Sequence, residues 1–525
     1  MPGLPGNHDK MRGLRRSLNR LGAIAPTQGG GSPVRPPYVL PAAVQMESFD
    51  SATPTTYFTP SNGAILSQDT VNKVEGVAAL KIGPNNGQSA SPAAARASVF
   101  NGDPNTMGTI AMRVDYGNDA EYRTSTGVNK TFGRSGSYPG TQAGITTTTA
   151  SVATEGDRWE CFHVSEVPGL TSMTAGQIDF RASTSHATPY CETLTIDSLC
   201  RNAGGRPTLI LTGDDSRRDI LTYLIPMLQV KCPPLVEELT TYVCTGLVGN
   251  PDNRLTWDEN RYIGTLGVAR SLNGTPDDVS MTAGVASPTA WVDIYNAMKT
   301  KMGVEGCAVA ADMAQICYPF GNTRTPGTTI QGGATTRTVG QPTVTPAVVA
   351  GITVGMKVAG AGVPMTPPTT VVDVTGSVVT LSANITFGTN EPMSFTNVSG
   401  AWHTGKPWPI MRAAGVQTGR QTNPGLFYSR GGIGAYAQAM PALSFSQITA
   451  AEVITNLELC ILRGCNLMAY FHTFVASNPG TLDMLMSEME LLADYLYAKW
   501  QANVLDFCTP AQLVARDGLA THSIL

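Results

Sequence analysis

Two adjacent carboxylates, Asp214 and Asp215, follow the apolar run PTLILTG directly, in a chain of which only 14% of residues are charged. The run is short and rich in β-forming residues, which is typical of a buried strand. In a parallel β/α architecture the carboxyl ends of the strands meet at one mouth. Two Asp side chains there can divide the work of a hydrolase, one as general base and the other as metal ligand.

The elements that would position this pair lie in residues 203–322 and 403–525. Strand-like runs alternate there with helical patterns, which indicates a parallel β/α domain. The clearest helix is predicted at 481–502, where apolar residues recur on one face. Thr449 and Glu452 form a T-x-x-E capping box that opens another helix.

Residues 46–202 have a different pattern, with short alternating segments separated by turn-rich spacers, which favours an antiparallel β-sandwich. Strands are predicted in the segments VAALKI (77–82), TIAMRVDY (109–116), RWECFHVS (158–165), QIDFRAS (177–183) and ETLTIDSLC (192–200). Trp159 lies among alternating apolar residues and is expected to be buried rather than exposed for sugar stacking.

Two further segments remain: one precedes the β-sandwich and the other interrupts the β/α domain. Residues 1–45 combine basic residues with Gly and Pro, and they are predicted to be either a disordered leader or a docking arm that orders on a partner. Residues 323–402 have no helical period, and two β-rich runs flank Gly376 as in a hairpin. This segment is predicted to be a small β insertion in a loop of the β/α domain.

The overall composition indicates which kinds of binding partner to expect. The net charge of -4 argues against broad binding to nucleic acid. No apolar run is long enough to span a membrane, and the N-terminus lacks the apolar core of a signal peptide. The ten cysteines show no C-x-x-C spacing and are expected to be reduced and mostly buried. Neutral glycans or proteins are the expected partners.

Three motifs in the α/β part resemble the polysaccharide deacetylase family. TGDDS at 212–216 is similar to that family's T-F-D-D-G, CYPFG at 317–321 to its R-x-P-Y-G, and LMAYFHTF at 467–474 to its closing L-x-H. The resemblance implies that Asp214 is the general base, Asp215 a metal ligand and His472 the catalytic acid. It also implies a binding groove formed with the residues Pro319, Phe320 and Gly321.

The family's H-S/T-x-x-H motif is replaced in this sequence. Arg270 and Gly274 occupy its two ligand positions, and no two of the six histidines lie within four residues of each other. A transition metal needs about three protein ligands, so no metal is expected and Arg270 is assigned to binding. Three interpretations stay open: an inactive deacetylase-like domain, a working zinc or other divalent-metal deacetylase with rearranged ligands, and a structural Asp pair that caps a strand end or binds Arg217 or Arg218.

Other resemblances suggest where the protein works. Residues 46–202, with VEGVAALKI near the start and a last strand that ends TLTIDSLCR, resemble jelly-roll modules attached to carbohydrate enzymes. Within the insertion, ITVGMKVAGAGVPMTPPTTVVDVTGSVVTLSANITF at 352–387 resembles β modules of bacteriophage tail and fibre proteins. Together they imply a homotrimeric phage tail fibre or spike, made in the host cytoplasm. Its arm would bind other virion tail proteins, and its deacetylase-like domain would attach to host surface polysaccharide. A purely structural connector or decoration protein is the third alternative.

Overall fold

The computed structural model describes most of the chain after residue 37. The ranges that it describes are 38–50, 58–61, 66–71, 73, 76–82, 93–100, 108–115, 128–134, 143–149, 158–163, 176–182, 194–250, 253–274, 288–318, 328–359, 363, 369–386, 392–397, 411–422, 424–438 and 440–525. Most of the predicted N-terminal arm lies outside these ranges. The residues Pro319, Phe320 and Gly321 lie wholly outside them.

The N-terminal part forms two antiparallel sheets, as the alternating pattern predicts. The first sheet has the order β3-β4-β11-β6-β9 with β1 paired to β11, and the second has the order β2-β5-β10-β7-β8. Their strands are β1 (Val44–Glu47), β2 (Phe58–Ser61), β3 (Leu66–Asp69), β4 (Ala79–Ile82), β5 (Ala93–Phe100), β6 (Thr109–Asp115), β7 (Val128–Arg134), β8 (Ala143–Thr149), β9 (Arg158–His163), β10 (Gly176–Ala182) and β11 (Leu194–Arg201). All five strands predicted from the sequence are confirmed.

The second part contains a nine-stranded mixed sheet, an open half-barrel with the order β22-β15-β14-β13-β12-β25-β23. The five consecutive pairs from β22 to β25 are parallel, so their carboxyl ends share one edge. The strands are β12 (Thr208–Gly213), β13 (Thr240–Val243), β14 (Ala269–Asn273), β15 (Gln315–Cys317), β22 (Thr418–Arg420), β23 (Leu426–Phe427), β24 (Leu443–Ser444), β25 (Asn466–Phe471) and β28 (Asp506–Phe507). Short strands β26 (Thr473–Val475) and β27 (Asp483–Leu485) pair separately.

Helices follow these strands, as the alternating pattern predicts. They are a π-helical turn (Ile220–Leu224), α1 (Ile225–Lys231), α2 (Pro233–Val236), α3 (Trp257–Thr265), α4 (Pro288–Val304), α5 (Ala310–Met313), a 3-10 turn (Gly434–Gln438), α6 (Ala450–Arg463), α7 (Met486–Gln501) and α8 (Pro510–Asp517). The predicted helix at 481–502 is confirmed in its main part by α7, although its first residues form β27. Within the described ranges, no helix has the length and hydropathy needed to cross a membrane.

A separate antiparallel sheet lies between β15 and β22 in the chain, with the order β18-β21-β16-β17-β20-β19. Its strands are β16 (Thr328–Arg337), β17 (Thr343–Pro346), β18 (Lys357–Ala359), β19 (Val371–Thr375), β20 (Val378–Leu381) and β21 (Pro392–Asn397). The predicted hairpin is present, with β19 and β20 paired and Gly376 at φ +61° in the turn between them. The sheet has a buried core of its own, which includes Val379 and Phe395.

The capping box predicted for α6 is present and offers a test of local stability. The Thr449 hydroxyl accepts from the Glu452 backbone N–H, and the Glu452 carboxylate accepts from the Thr449 backbone N–H. We expect Thr449→Ala to lower the free energy of unfolding by about 1 kcal/mol in urea titrations, because the Glu452 backbone N–H loses the hydroxyl that accepts from it. Thr455→Ala, in the exposed middle of the same helix, is the control. A loss as large in Thr455→Ala as in Thr449→Ala would contradict the capping role.

Candidate functional site

The carboxyl edge of the parallel strands gathers a compact set of polar side chains around Asp214, which directly follows β12. The Arg420 guanidinium at the end of β22 donates from Nη2 to Asp214 Oδ2 over 2.6 Å. Asp214 and Arg420 are both buried, at 6% and 1% exposure. The pair therefore forms a buried ion pair between strands that lie about 200 residues apart in the sequence.

Aromatic and thiol side chains enclose the Arg420 guanidinium. Its carbon lies 4.3 Å from the ring centroid of Tyr470 and 5.2 Å from that of Tyr242, so two π faces contact the cation. The buried Cys317 thiol lies close enough for Arg420 and Asp214 to influence its pKa, which burial raises well above the usual value. The guanidinium is thus held in one orientation.

The electrostatics of the ion pair reflect its burial. Burial raises the pKa of Asp214 above its ordinary value, while Arg420 and His472 oppose the rise. Burial alone would lower the pKa of Arg420, but Asp214, Cys317 and Tyr242 together outweigh that effect and the net shift is upward. A buried carboxylate is stable only while its partner is present.

Asp215, the second carboxylate, faces a different pair of arginines. Its Oδ2 lies 3.3 Å from Arg254 Nη1 and 3.5 Å from Arg217 Nη2. The Cys244 thiol donates to its Oδ1 over 3.8 Å. The contact with Arg217 that the structural interpretation predicts is present, whereas Arg218 instead binds Glu259 at 2.7 Å.

The backbone at this strand end is in an uncommon conformation. Asp215 and Ser216 have φ angles of +60° and +52°, which non-glycine residues rarely adopt. Hydrogen bonds hold both carbonyls, since Arg254 Nη1 donates to Asp215 O and the Leu255 backbone N–H donates to Ser216 O. Such strain persists where surrounding contacts fix it and is concentrated at functional sites.

Several buried polar atoms around Asp214 have no hydrogen-bond partner among the described residues. Native interiors leave few such atoms, and ordered water or an ion commonly satisfies them. They are Asp214 Oδ1, Ser216 Oγ, Arg217 Nε, Tyr242 Oη, Arg420 Nε, Arg420 Nη1 and His472 Nδ1.

His472 directly follows β25 and lies beside Asp214, as the strand-end pattern indicates. Its Nε2 is 3.8 Å from Asp214 Oδ2, and its side chain is 15% exposed. Its ring meets that of Tyr470 edge to face at 5.7 Å. The structure thus brings Asp214, Asp215 and His472 to one edge of the sheet, with His472 on the accessible side of the pair.

Arg270 does not belong to this group, and its assignment to binding is corrected. Strand side chains alternate between the two faces of a sheet. A Cβ added at Gly264 in α3 would lie 2.4 Å from the Arg270 guanidinium carbon, so this side chain lies against the helix layer. The Arg270 backbone N–H donates to Asp312 in α5 over 3.2 Å. The opposite face of β14 belongs to Ala269, Ser271 and Asn273.

The described residues of this site do not fit a divalent metal. The two positions that resemble the family's His ligands are Arg270, which faces the helices, and Gly274, which has no side chain. The remaining candidate ligand, Asp215, already contacts two guanidinium groups. Among the described residues, no group of three His, Cys, Asp and Glu side chains is arranged to hold a metal ion.

Sequence reasoning missed three residues of the site. Arg420 follows the β insertion and ends a strand of three residues, which is too short to show periodicity. Arg254 lies in a loop, and Tyr242 looks like an ordinary strand residue. One signal was available for Arg420, since Cys317 stands where the similar motif has Arg, and Arg420 is its register partner on the adjacent strand.

Comparisons with known proteins give only distant likenesses. No family model matches the chain, and no curated protein matches it. Among solved structures, the Streptococcus pyogenes deacetylase PplD in complex with acetate is 21% identical over 21% of this chain and 45% of its own, with a TM-score of 0.18. The family 11 carbohydrate-binding module from Clostridium thermocellum is 11% identical over 30% of this chain and 94% of its own, with a TM-score of 0.20.

A third structure, Xylanase10C from Cellvibrio japonicus in complex with xylopentaose, covers 83% of this chain and 74% of its own at 8% identity, with a TM-score of 0.19. With TM-scores near 0.2, none of the three defines the fold of this chain.

Proposed function

We propose that this protein binds a polysaccharide at the Asp214 site without cleaving it. In this proposal the half-barrel is a deacetylase-like β/α barrel and the N-terminal sheets form a jelly-roll-like sandwich. The motif order around Asp214, Asp215 and His472 supports the deacetylase-like part. The unpartnered polar atoms at the same place support a ligand.

One observation carries the proposal: arginines engage both carboxylates that a metal-dependent hydrolase would use. Arg420 binds Asp214 at 2.6 Å, and Arg254 and Arg217 face Asp215 at 3.3 and 3.5 Å. A cation beside Asp215 repels a metal ion and takes the negative charge that would attract it. Hydroxyl-rich ligands suit the remaining donors and acceptors, because a hydroxyl both donates and accepts.

The binding proposal predicts three results for the purified full-length chain. We expect saturable binding to at least one bacterial surface polysaccharide in a panel, no acetate release from acetylated glycans with added zinc, and far less than one retained metal ion per chain after dialysis. His472→Ala should weaken the binding, because His472 is the accessible edge of the site, and Thr455→Ala on the exposed face of α6 should not.

Two outcomes would reject this function in different ways. Acetate release that disappears in Asp214→Asn, with about one bound ion per chain, would establish the enzyme instead. Absence of binding across the whole panel would leave a structural connector.

We also propose that the protein is a tail fibre or spike component of a bacteriophage virion, attached through residues 1–45 to other tail proteins and assembled as a homotrimer. The similarity of residues 352–387 to phage β modules and the basic N-terminal segment support this assignment. Sedimentation at micromolar concentration should give a trimer. A monomer under those conditions would contradict this assembly.

A further inference from the structure

We propose that Asp219 is a positioning residue of the Asp214 site, which holds His472 in place without touching the ligand. Its carboxylate ties the segment that carries His472 to the loop that carries Arg254. The inference rests on the proposed function and deepens it, because His472 is the accessible side chain through which the site would meet a glycan. It follows from two hydrogen bonds that the two carboxylate oxygens accept from different segments of the chain.

One carboxylate oxygen holds the segment that follows β25. Asp219 Oδ2 accepts from the backbone N–H of Phe474, two residues after His472, over 3.1 Å. The Phe474 ring is itself buried, with its centroid 4.9 Å from that of Phe471 and 5.3 Å from that of Tyr223. The backbone that leaves His472 is therefore held by the core through one ring and by Asp219 through one N–H.

The other oxygen holds the loop that precedes α3. Asp219 Oδ1 accepts from Asn253 Nδ2 over 2.7 Å. The Asn253 carbonyl in turn accepts from the Arg218 backbone N–H over 2.9 Å, so this loop is bonded to the chain just before Asp219. Arg254, the next residue of the loop, lies 3.3 Å from Asp215. The Asp219 carboxylate thus joins the two sides of the site.

The two contacts require a carboxylate at position 219. Both partners are donors, and an ionised carboxylate accepts at both of its oxygens. An asparagine amide accepts at one oxygen only and turns its NH2 group towards the other donor. Asp219→Asn therefore removes one of the two bonds while it preserves the shape of the side chain. Hydrogen bonds to an ionised acceptor are also the stronger kind, which suits a positioning role.

Nuclear magnetic resonance of the imidazole nitrogens tests the positioning without a ligand. The full chain is labelled with ¹⁵N in its six histidines, and the His472 signals are identified by their absence in His472→Ala. We expect Asp219→Ala and Asp219→Asn to move or broaden these signals. Asp494→Ala, which removes an exposed carboxylate that pairs with Lys231 on α1, should leave them in place. Circular dichroism confirms that each variant is folded.

A double-mutant cycle on glycan binding shows whether Asp219 acts through His472. The probe is the polysaccharide of the bacterial surface panel that the wild-type chain binds most tightly. We expect Asp219→Ala to weaken this binding about tenfold, within the range of coupling between residues of one hydrogen-bond network, and Asp219→Asn to weaken it less. In a chain that already carries His472→Ala, the change Asp219→Ala should have no further effect, because the side chain that Asp219 positions is gone.

Either of two results would overturn the inference. Unmoved His472 signals in both Asp219 variants would show that the carboxylate does not hold the ring. Losses of affinity that multiply in the double variant would show that Asp219 acts elsewhere, as a general loss of stability does. If the wild-type chain binds no polysaccharide of the panel, the proposed function fails, and the imidazole spectra still decide whether Asp219 positions His472.

Discussion

Replacing Arg420 by Met should lower the free energy of unfolding by about 3 to 5 kcal/mol at neutral pH, because it leaves the Asp214 carboxylate buried without its partner. Asp214 is 6% exposed, so water cannot replace the guanidinium without rearrangement. The change also removes the cation held between Tyr470 and Tyr242. Urea titration of the protein, monitored by the circular dichroism of the helices in the α/β part, measures this loss of stability.

Matched variants separate the lost ion pair from lost packing. The double variant Arg420→Met/Asp214→Leu should recover much of the stability, because apolar replacement of both partners leaves no buried charge. Arg420→Lys should give an intermediate loss, since it retains the charge but not the planar contact with the tyrosines. A double variant no more stable than Arg420→Met would show that packing, and not the charge of Asp214, dominates.

The pH dependence of the Arg420→Met defect has a definite sign. The pKa of Asp214 is raised in the folded protein, so the folded state binds a proton more readily than the unfolded chain. The free energy of unfolding therefore increases as pH falls through the folded-state pKa. Removal of Arg420 raises that pKa further. The defect should accordingly be smaller at pH 5 than at pH 7, with His472 and Asp215 the other ionisable groups that act on Asp214.

The strand-end residues of the site were predictable because the pattern that indicates a parallel strand also indicates its carboxyl end. Asp214 and His472 each follow a fully buried strand. Arg420 was not predictable in this way, since its strand has three residues and follows the inserted sheet. Arg270 was assigned wrongly because a linear match of motifs ignores which face of the strand a side chain occupies.

The strands of the N-terminal sheets also divide into those that a hydrophobic pattern predicts and those that it does not. Strands such as β6 and β9 contain large apolar residues at alternate positions and were found. Strands β5 and β8, with the sequences AAARASVF and AGITTTT, contain mostly small or hydroxyl residues and give no comparable alternation. Their pairing with β10 and β7, rather than their own hydrophobic pattern, identifies them.

Trp159→Ala should lower the free energy of unfolding by about 3 to 5 kcal/mol, because Trp159 lies in the interface between the N-terminal sheets and the α/β part. It is 2% exposed, as the sequence predicts, and packs with Ala111, Cys200 and Ile524. Its Nε1 donates to His522 O over 2.8 Å.

The glycine at position 431 shows how closely the C-terminal part approaches this ring, since an added Cβ there would lie 2.4 Å from Trp159 Nε1. Trp159→Phe preserves most of the apolar contact and removes one hydrogen bond, so it should lower stability by about 1 kcal/mol. Thermal unfolding and limited proteolysis between residues 201 and 208 would report both variants, with faster cleavage expected in Trp159→Ala. If Trp159→Ala instead left stability unchanged and abolished glycan binding, Trp159 would be a sugar-stacking residue and its burial against the C-terminal segment would not hold in solution.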